Sequence, residues 1–68
     1  MVVTKTLDLH GTKHEDVDRL VENFVLLNEP PLTIITGNSQ RMSEIVVNCL
    51  ITHSIEFRRW GSGTIKIL

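Results

Sequence analysis

Cysteine is almost missing from this sequence, aromatic residues are few, and neither sign of charge dominates. The single cysteine, Cys49, excludes an internal disulfide framework, and no group of Cys and His has the spacing of a structural zinc site. With no tyrosine, two phenylalanines and one tryptophan, the core falls to aliphatic side chains. No apolar run approaches the roughly 18 residues of a membrane span. Met1 to Thr6 lacks the basic segment and apolar stretch of a secretory signal, so a cytoplasmic protein that makes no membrane contact is expected.

The 68 residues suffice for one domain, residues 1–68, of a size that buries about 60% of its unfolded surface. An apolar fraction of 41% with 22% charged residues excludes a disordered chain. Seven basic against eight acidic side chains exclude a strong, diffuse attraction to nucleic acid over the whole surface. The distribution is less even than the sum. From His14 to Glu29, Glu15, Asp16, Asp18, Glu22 and Glu29 stand against Arg19 alone, whereas from Asn38 onward Arg41, Arg58, Arg59 and Lys66 outweigh Glu44 and Glu56. A polyanion would approach the second half and the region of Lys13, and turn away from the acidic stretch.

Hydrophobic periodicity gives the elements. Val2 to Leu9 alternates as a strand with Leu7 and Leu9 inward, and Gly11 ends it. Thr12 to Glu15 reads as a capping box opening a helix over Lys13 to Leu27, whose inward stripe is Val17, Leu20, Val21, Phe24 and Leu27. Pro30 and Pro31 stop it. Leu32 to Thr36 is a short buried strand, and Ser39 caps a second helix over Gln40 to Thr52 with Met42, Ile45, Val46, Cys49 and Leu50 inward. Ile55 to Trp60 and Thr64 to Leu68 read as two final strands joined through Gly61-Ser62-Gly63. The order β-α-β-α-β-β predicts an α/β fold of two layers, a four-stranded mixed sheet with both helices on one face.

Three places carry functional chemistry, and each also has a plainer explanation. Asp8, His10 and Gly11 end the first strand, where ligands of α/β sheets bind; Asp8 equally suits a turn support and His10 an ordinary exposed histidine. Thr36-Gly37-Asn38-Ser39 leads from a buried strand to a helix N-terminus, suiting an anion or simply a tight turn. Arg58, Arg59 and Trp60 suit phosphate pairing and stacking on an unpaired base, or else Trp60 packs on the helices and one arginine is a solvated charge. Strand alternation puts Arg58 and Trp60 on one face and Arg59 on the other. Cys49 falls on an apolar helix face and reads as core, and Asp8, His10, His14 and His53 lack the spacing of a zinc motif.

Leu7-Asp8-Leu9-His10-Gly11, followed by Thr12 and an acidic helix, closely resembles the L-D-L-H-G signature of the Smr domain, the small MutS-related module. Ile34-Ile35-Thr36-Gly37 resembles that domain's second signature, T-G-x-G or H-G-x-G, and Gly61 to Leu68 resembles its terminal glycine-rich turn and strand. Ser39 stands where that family usually has a second glycine, and Asn38 where a basic residue often precedes it. The resemblance covers Thr6 to Leu68. It implies a sandwich similar to the C-terminal domain of bacterial translation initiation factor three, and binding of RNA or DNA with nicking or cleavage of phosphodiester bonds.

Carried over, the matches are Asp8, His10 and Gly11 in the first element and Thr36 and Gly37 in the second. On that reading His10 transfers a proton, as an imidazole can. Asp8 orients the imidazole or holds a divalent cation, magnesium or manganese. The amides of Gly37 to Ser39, with Lys13 or Arg41, hold the phosphate, and Arg58 and Arg59 add side contacts. The competing expectation, from the near-neutral charge and Ser39, is a catalytically inactive module for nucleic-acid or protein interaction.

Overall fold

The structure is a computed structural model and describes residues 5–68. The strand expected from Val2 therefore has its first positions, Val2 to Thr4, outside the described residues. The elements in chain order are β1 (Lys5–Asp8), α1 (His14–Leu27), β2 (Leu32–Ile35), α2 (Gln40–Thr52), β3 (Arg58–Trp60) and β4 (Thr64–Ile67). They form one four-stranded mixed sheet in the order β1-β2-β4-β3, in which β1 is parallel to β2 and β4 is antiparallel to both its neighbours.

Alternation decides which side of the sheet is covered. Leu32 and Ile34 of β2, with Ile65 and Ile67 of β4, are buried together with Val17 and Val21 of α1 and Met42, Val46, Cys49 and Leu50 of α2. Both helices lie on that face. Leu9, just past β1, is fully buried beside them. Each such aliphatic side chain contributes about 1.5–3 kcal/mol by leaving water. The positions between them, Thr33 and Ile35 on β2 and Thr64 and Lys66 on β4, are only half-buried and form the second, uncovered face.

Several sequence expectations are corrected. The capping box does not form: α1 starts at His14, its cap residue is Lys13, and no side chain bonds the free amides there. Thr12 is held one residue too early, because its N–H closes a turn onto the Leu9 carbonyl at 2.9 Å. Leu27 is 79% exposed rather than inward, since the Val17–Val21–Phe24 line continues to Asn28. Asn28 closes the helix by donating from Nδ2 to the Phe24 carbonyl at 2.8 Å, while its Oδ1 accepts from Lys5 Nζ at 2.8 Å. Leu7 is half-buried, as befits the edge strand β1.

β3 covers only Arg58–Trp60, because Ile55 is bound to the end of α2. That end is a complete Schellman closure, with Ser54 N–H on Ile51 O at 3.0 Å and Ile55 N–H on Leu50 O at 2.9 Å. At the other end of α2, Ser39 caps as expected, its Oγ accepting from Met42 N–H at 3.1 Å.

Candidate functional site

Because β1 and β2 run parallel, both end at the same edge of the sheet, and their exits lie side by side. The Leu9 N–H donates to Ile35 O at 2.9 Å, extending the β1–β2 pairing one residue past Asp8. From there the chain reverses over Leu9–His10–Gly11–Thr12. Gly11, at φ 78°, takes the third position of a type II turn, which needs a positive φ, and His10 takes the exposed corner. Asp8 Oδ1 accepts from the His10 backbone N–H at 2.9 Å and so fixes the corner. Among the described residues no hydrogen bond joins Asp8 to the His10 ring: the carboxylate positions the histidine's backbone and does not orient its imidazole.

The exit of β2 is built differently. Gly37 also turns at positive φ, 69°. The Thr36 and Gly37 amides both donate to Gly63 O, at 2.8 and 3.3 Å, which ties the β3–β4 turn to the start of the Gly37 loop. Gly63 lies so close that a Cβ there would stand 2.9 Å from Gly37 O. Two of the groups expected at a phosphate have partners within the fold. The Gly37 amide already has a partner, and Thr36 is 3% exposed, with Oγ1 donating to Gly37 O at 3.3 Å and 3.4 Å from Ser43 Oγ. Thr36 shapes the loop from below. The amides of Asn38 and Ser39 have no partner among the described residues, and the Ser39 hydroxyl, accepting from Met42, keeps its proton to donate.

The basic residues are spread around this edge. Lys13 is exposed at the start of α1. Arg41 is exposed in the first turn of α2 with Nη1 3.7 Å from Glu44 Oε2, a loose surface pair that leaves it able to turn to another anion. Arg58 lies on the uncovered sheet face and Arg59 on the other, both exposed, as alternation requires.

The explanation in which Trp60 packs on the helices is overturned. It lies on the uncovered face, 61% exposed, with Lys66 Nζ 4.3 Å from its ring centroid. Sequence reasoning missed Gly63, which packs on Gly37, and the Lys66 contact. Only the alternation of Lys66 against Ile65 and Ile67 signalled the latter.

Away from this edge, Cys49 is buried between the helices, Sγ 3.8 Å from the Asp18 carbonyl. Burial first, then the charges of Asp18 and Glu22, push its thiol up from the ordinary value, which is the opposite of what a nucleophile needs. Among the described residues no three His, Cys, Asp or Glu side chains converge to hold a metal ion, and Asp8 already serves the His10 amide. No helix among them is long and apolar enough to cross a membrane. No family model matches the chain, and neither the curated proteins nor the solved structures give a match.

Proposed function

We propose that this edge binds the phosphate backbone of a nucleic acid, in the manner of an Smr-like domain, and that His10 transfers a proton in phosphodiester cleavage. The observation that carries this reading is the Leu9–Ile35 hydrogen bond, which sets the Asp8–Gly11 turn beside the Gly37 loop at the N-terminus of α2. Two segments far apart in sequence thus meet where an anion is favoured by a helix N-terminus.

The roles follow from the groups present. A phosphate accepts from the amides of Asn38 and Ser39 and from the Ser39 hydroxyl, with Lys13 and Arg41 supplying positive charge. As negative charge builds on the phosphate oxygens, these fixed donors stabilise it. His10, exposed at its turn corner, takes the proton of the attacking water or ribose 2′-hydroxyl as that oxygen bonds to phosphorus, or gives a proton to the leaving oxygen as its P–O bond breaks. Asp8 keeps the corner in place.

The test incubates labelled RNA and supercoiled DNA with the wild type and with His10→Ala, each with and without magnesium or manganese. General acid-base help is worth about a hundredfold to ten-thousandfold, so His10→Ala should nearly abolish cleavage and leave binding mostly intact. Binding should weaken steadily with added salt as counterions compete for the phosphates. Equal cleavage by both proteins removes His10 from the chemistry. If RNA and single- and double-stranded DNA all leave the amide signals of His10, Asn38 and Ser39 unmoved at low salt, the surface is not a nucleic-acid site.

A further inference from the structure

The uncovered sheet face carries the chain's one tryptophan in line with the edge just described. Strand register makes this explicit. Asp8 pairs with Ile35, Ile35 with Thr64, and Thr64 with Trp60, so the four residues form one row across the sheet. Asp8, Ile35 and Trp60 are the last residues of β1, β2 and β3, and Thr64 is the first of the antiparallel β4. The next row is Thr6, Thr33, Lys66 and Arg58. Three strand spacings, about 14 Å, separate the two ends of a row.

The chemistry along these rows changes from one side to the other. On β1 the face carries Thr6 and the carboxylate of Asp8; on β4 and β3 it carries Lys66, Arg58 and the indole of Trp60. An indole that is 61% exposed on a sheet face is unusual for so apolar a group, and both helices lie on the opposite face. Lys66 Nζ lies over one side of the ring at 4.3 Å, which holds the side chain against the sheet and sets a positive charge beside it. Arg58, directly opposite Lys66 on β3, adds a second. A flat aromatic surface flanked by two cations matches a nucleotide with an unpaired base: the base lies on the ring while its phosphate meets Lys66 or Arg58. A duplex cannot use this surface, because its bases are stacked on each other.

We infer that Trp60 is a stacking platform for an unpaired base, so that the nucleic acid held at the sheet edge is single-stranded where it crosses the uncovered face. This rests on the reading of the edge as a phosphate site and adds to it the form of strand bound. The strand runs from the Asn38–Ser39 amides past Ile35 and Thr64 to Trp60, away from the Asp8 carboxylate and the acidic side of α1. Stacking uses the face of the base, so a ribose and a deoxyribose strand serve alike.

Because Trp60 is the single tryptophan, its fluorescence reports the platform alone. Oligo(U), oligo(dT) and a DNA duplex, each of about ten nucleotides, are titrated at low salt into the wild type, Trp60→Ala and Trp60→Phe, with amide spectra recorded in parallel. The expected result is quenching by both single strands but not by the duplex. Affinity for single strands should fall about 5- to 150-fold in Trp60→Ala, with much of it kept in Trp60→Phe and duplex binding unchanged. If single strands shift the His10, Asn38 and Ser39 amides without quenching, or if Trp60→Ala weakens duplex and single strand equally, the platform is overturned and the edge reading stands. Quenching with silent edge amides upholds the platform and removes the edge. No binding by any probe overturns both.

Discussion

A methyl group at Gly63 would meet the carbonyl oxygen of Gly37 at 2.9 Å, and that oxygen belongs to backbone that cannot swing aside. Gly63→Ala must therefore push the β3–β4 turn away from the Gly37 loop and lengthen the two hydrogen bonds on Gly63 O. We expect a loss of about 1–3 kcal/mol, read as a lower thermal midpoint, with the Thr36 and Gly37 amide signals shifting most. Cys49 makes the opposite kind of point, since its chemistry is suppressed by its surroundings. Folded, it keeps its proton above the ordinary thiol value of 9.0, whereas the unfolded chain gives it up there. The stability this contributes is complete below that value and is lost as pH rises through the folded one. Urea midpoints of the wild type should thus decline above pH 9.0, and Cys49→Ala should decline less over the same range. At neutral pH a thiol reagent should label Cys49 far more slowly in buffer than in urea.

Ser54 is the position at which α2 departs from the usual chemistry of helix ends. It adopts φ 56°, the left-handed conformation in which a Schellman closure ordinarily places glycine. Ser54→Gly should stabilise the domain by about 0.5–1 kcal/mol, measured as a higher urea midpoint with an unchanged slope. The sequence did not reveal this closure, because serine gives no hint of a positive φ. It is also why Ile55 to Phe57 failed as strand. Where local signals were strong and unopposed they held: Ser39 and the Met42–Val46–Leu50 stripe marked both ends of α2. α1 starts within one residue of the expected Lys13, but its capping box is absent because Thr12 had two uses, a helix cap and the closing residue of the His10 turn, and the turn won. At the candidate site, the corner placement of His10 was legible from Gly11, whereas the capture of the Gly37 amide by Gly63 joins residues far apart in sequence and left no local trace.

At the scale of the molecule, both helices cover one side of the sheet and leave the other to solvent, so the acidic side of α1 and the Arg58–Lys66 cations fall on different layers. The near-zero net charge therefore conceals a molecule with two unlike surfaces, which the composition alone could not show. The layer count was legible from the order of elements, but the strand order was not: the last strand, β4, sits inside the sheet between β2 and β3. Removing Thr64–Leu68 takes away Ile65 and Ile67 from the core and both antiparallel pairings from the sheet. Such a chain should lose the dispersed amide spectrum of the folded domain outright rather than melt a few degrees earlier. The same arrangement governs how the domain is born. A ribosome delivers β1, α1, β2 and α2 first, yet β3 has nothing to join and the apolar faces of both helices have half a floor until Ile67 is made. At about 5–20 residues per second the stretch from Thr52 to Ile67 takes about 1–3 s, during which that surface stays uncovered, and the domain folds only once β4 is made.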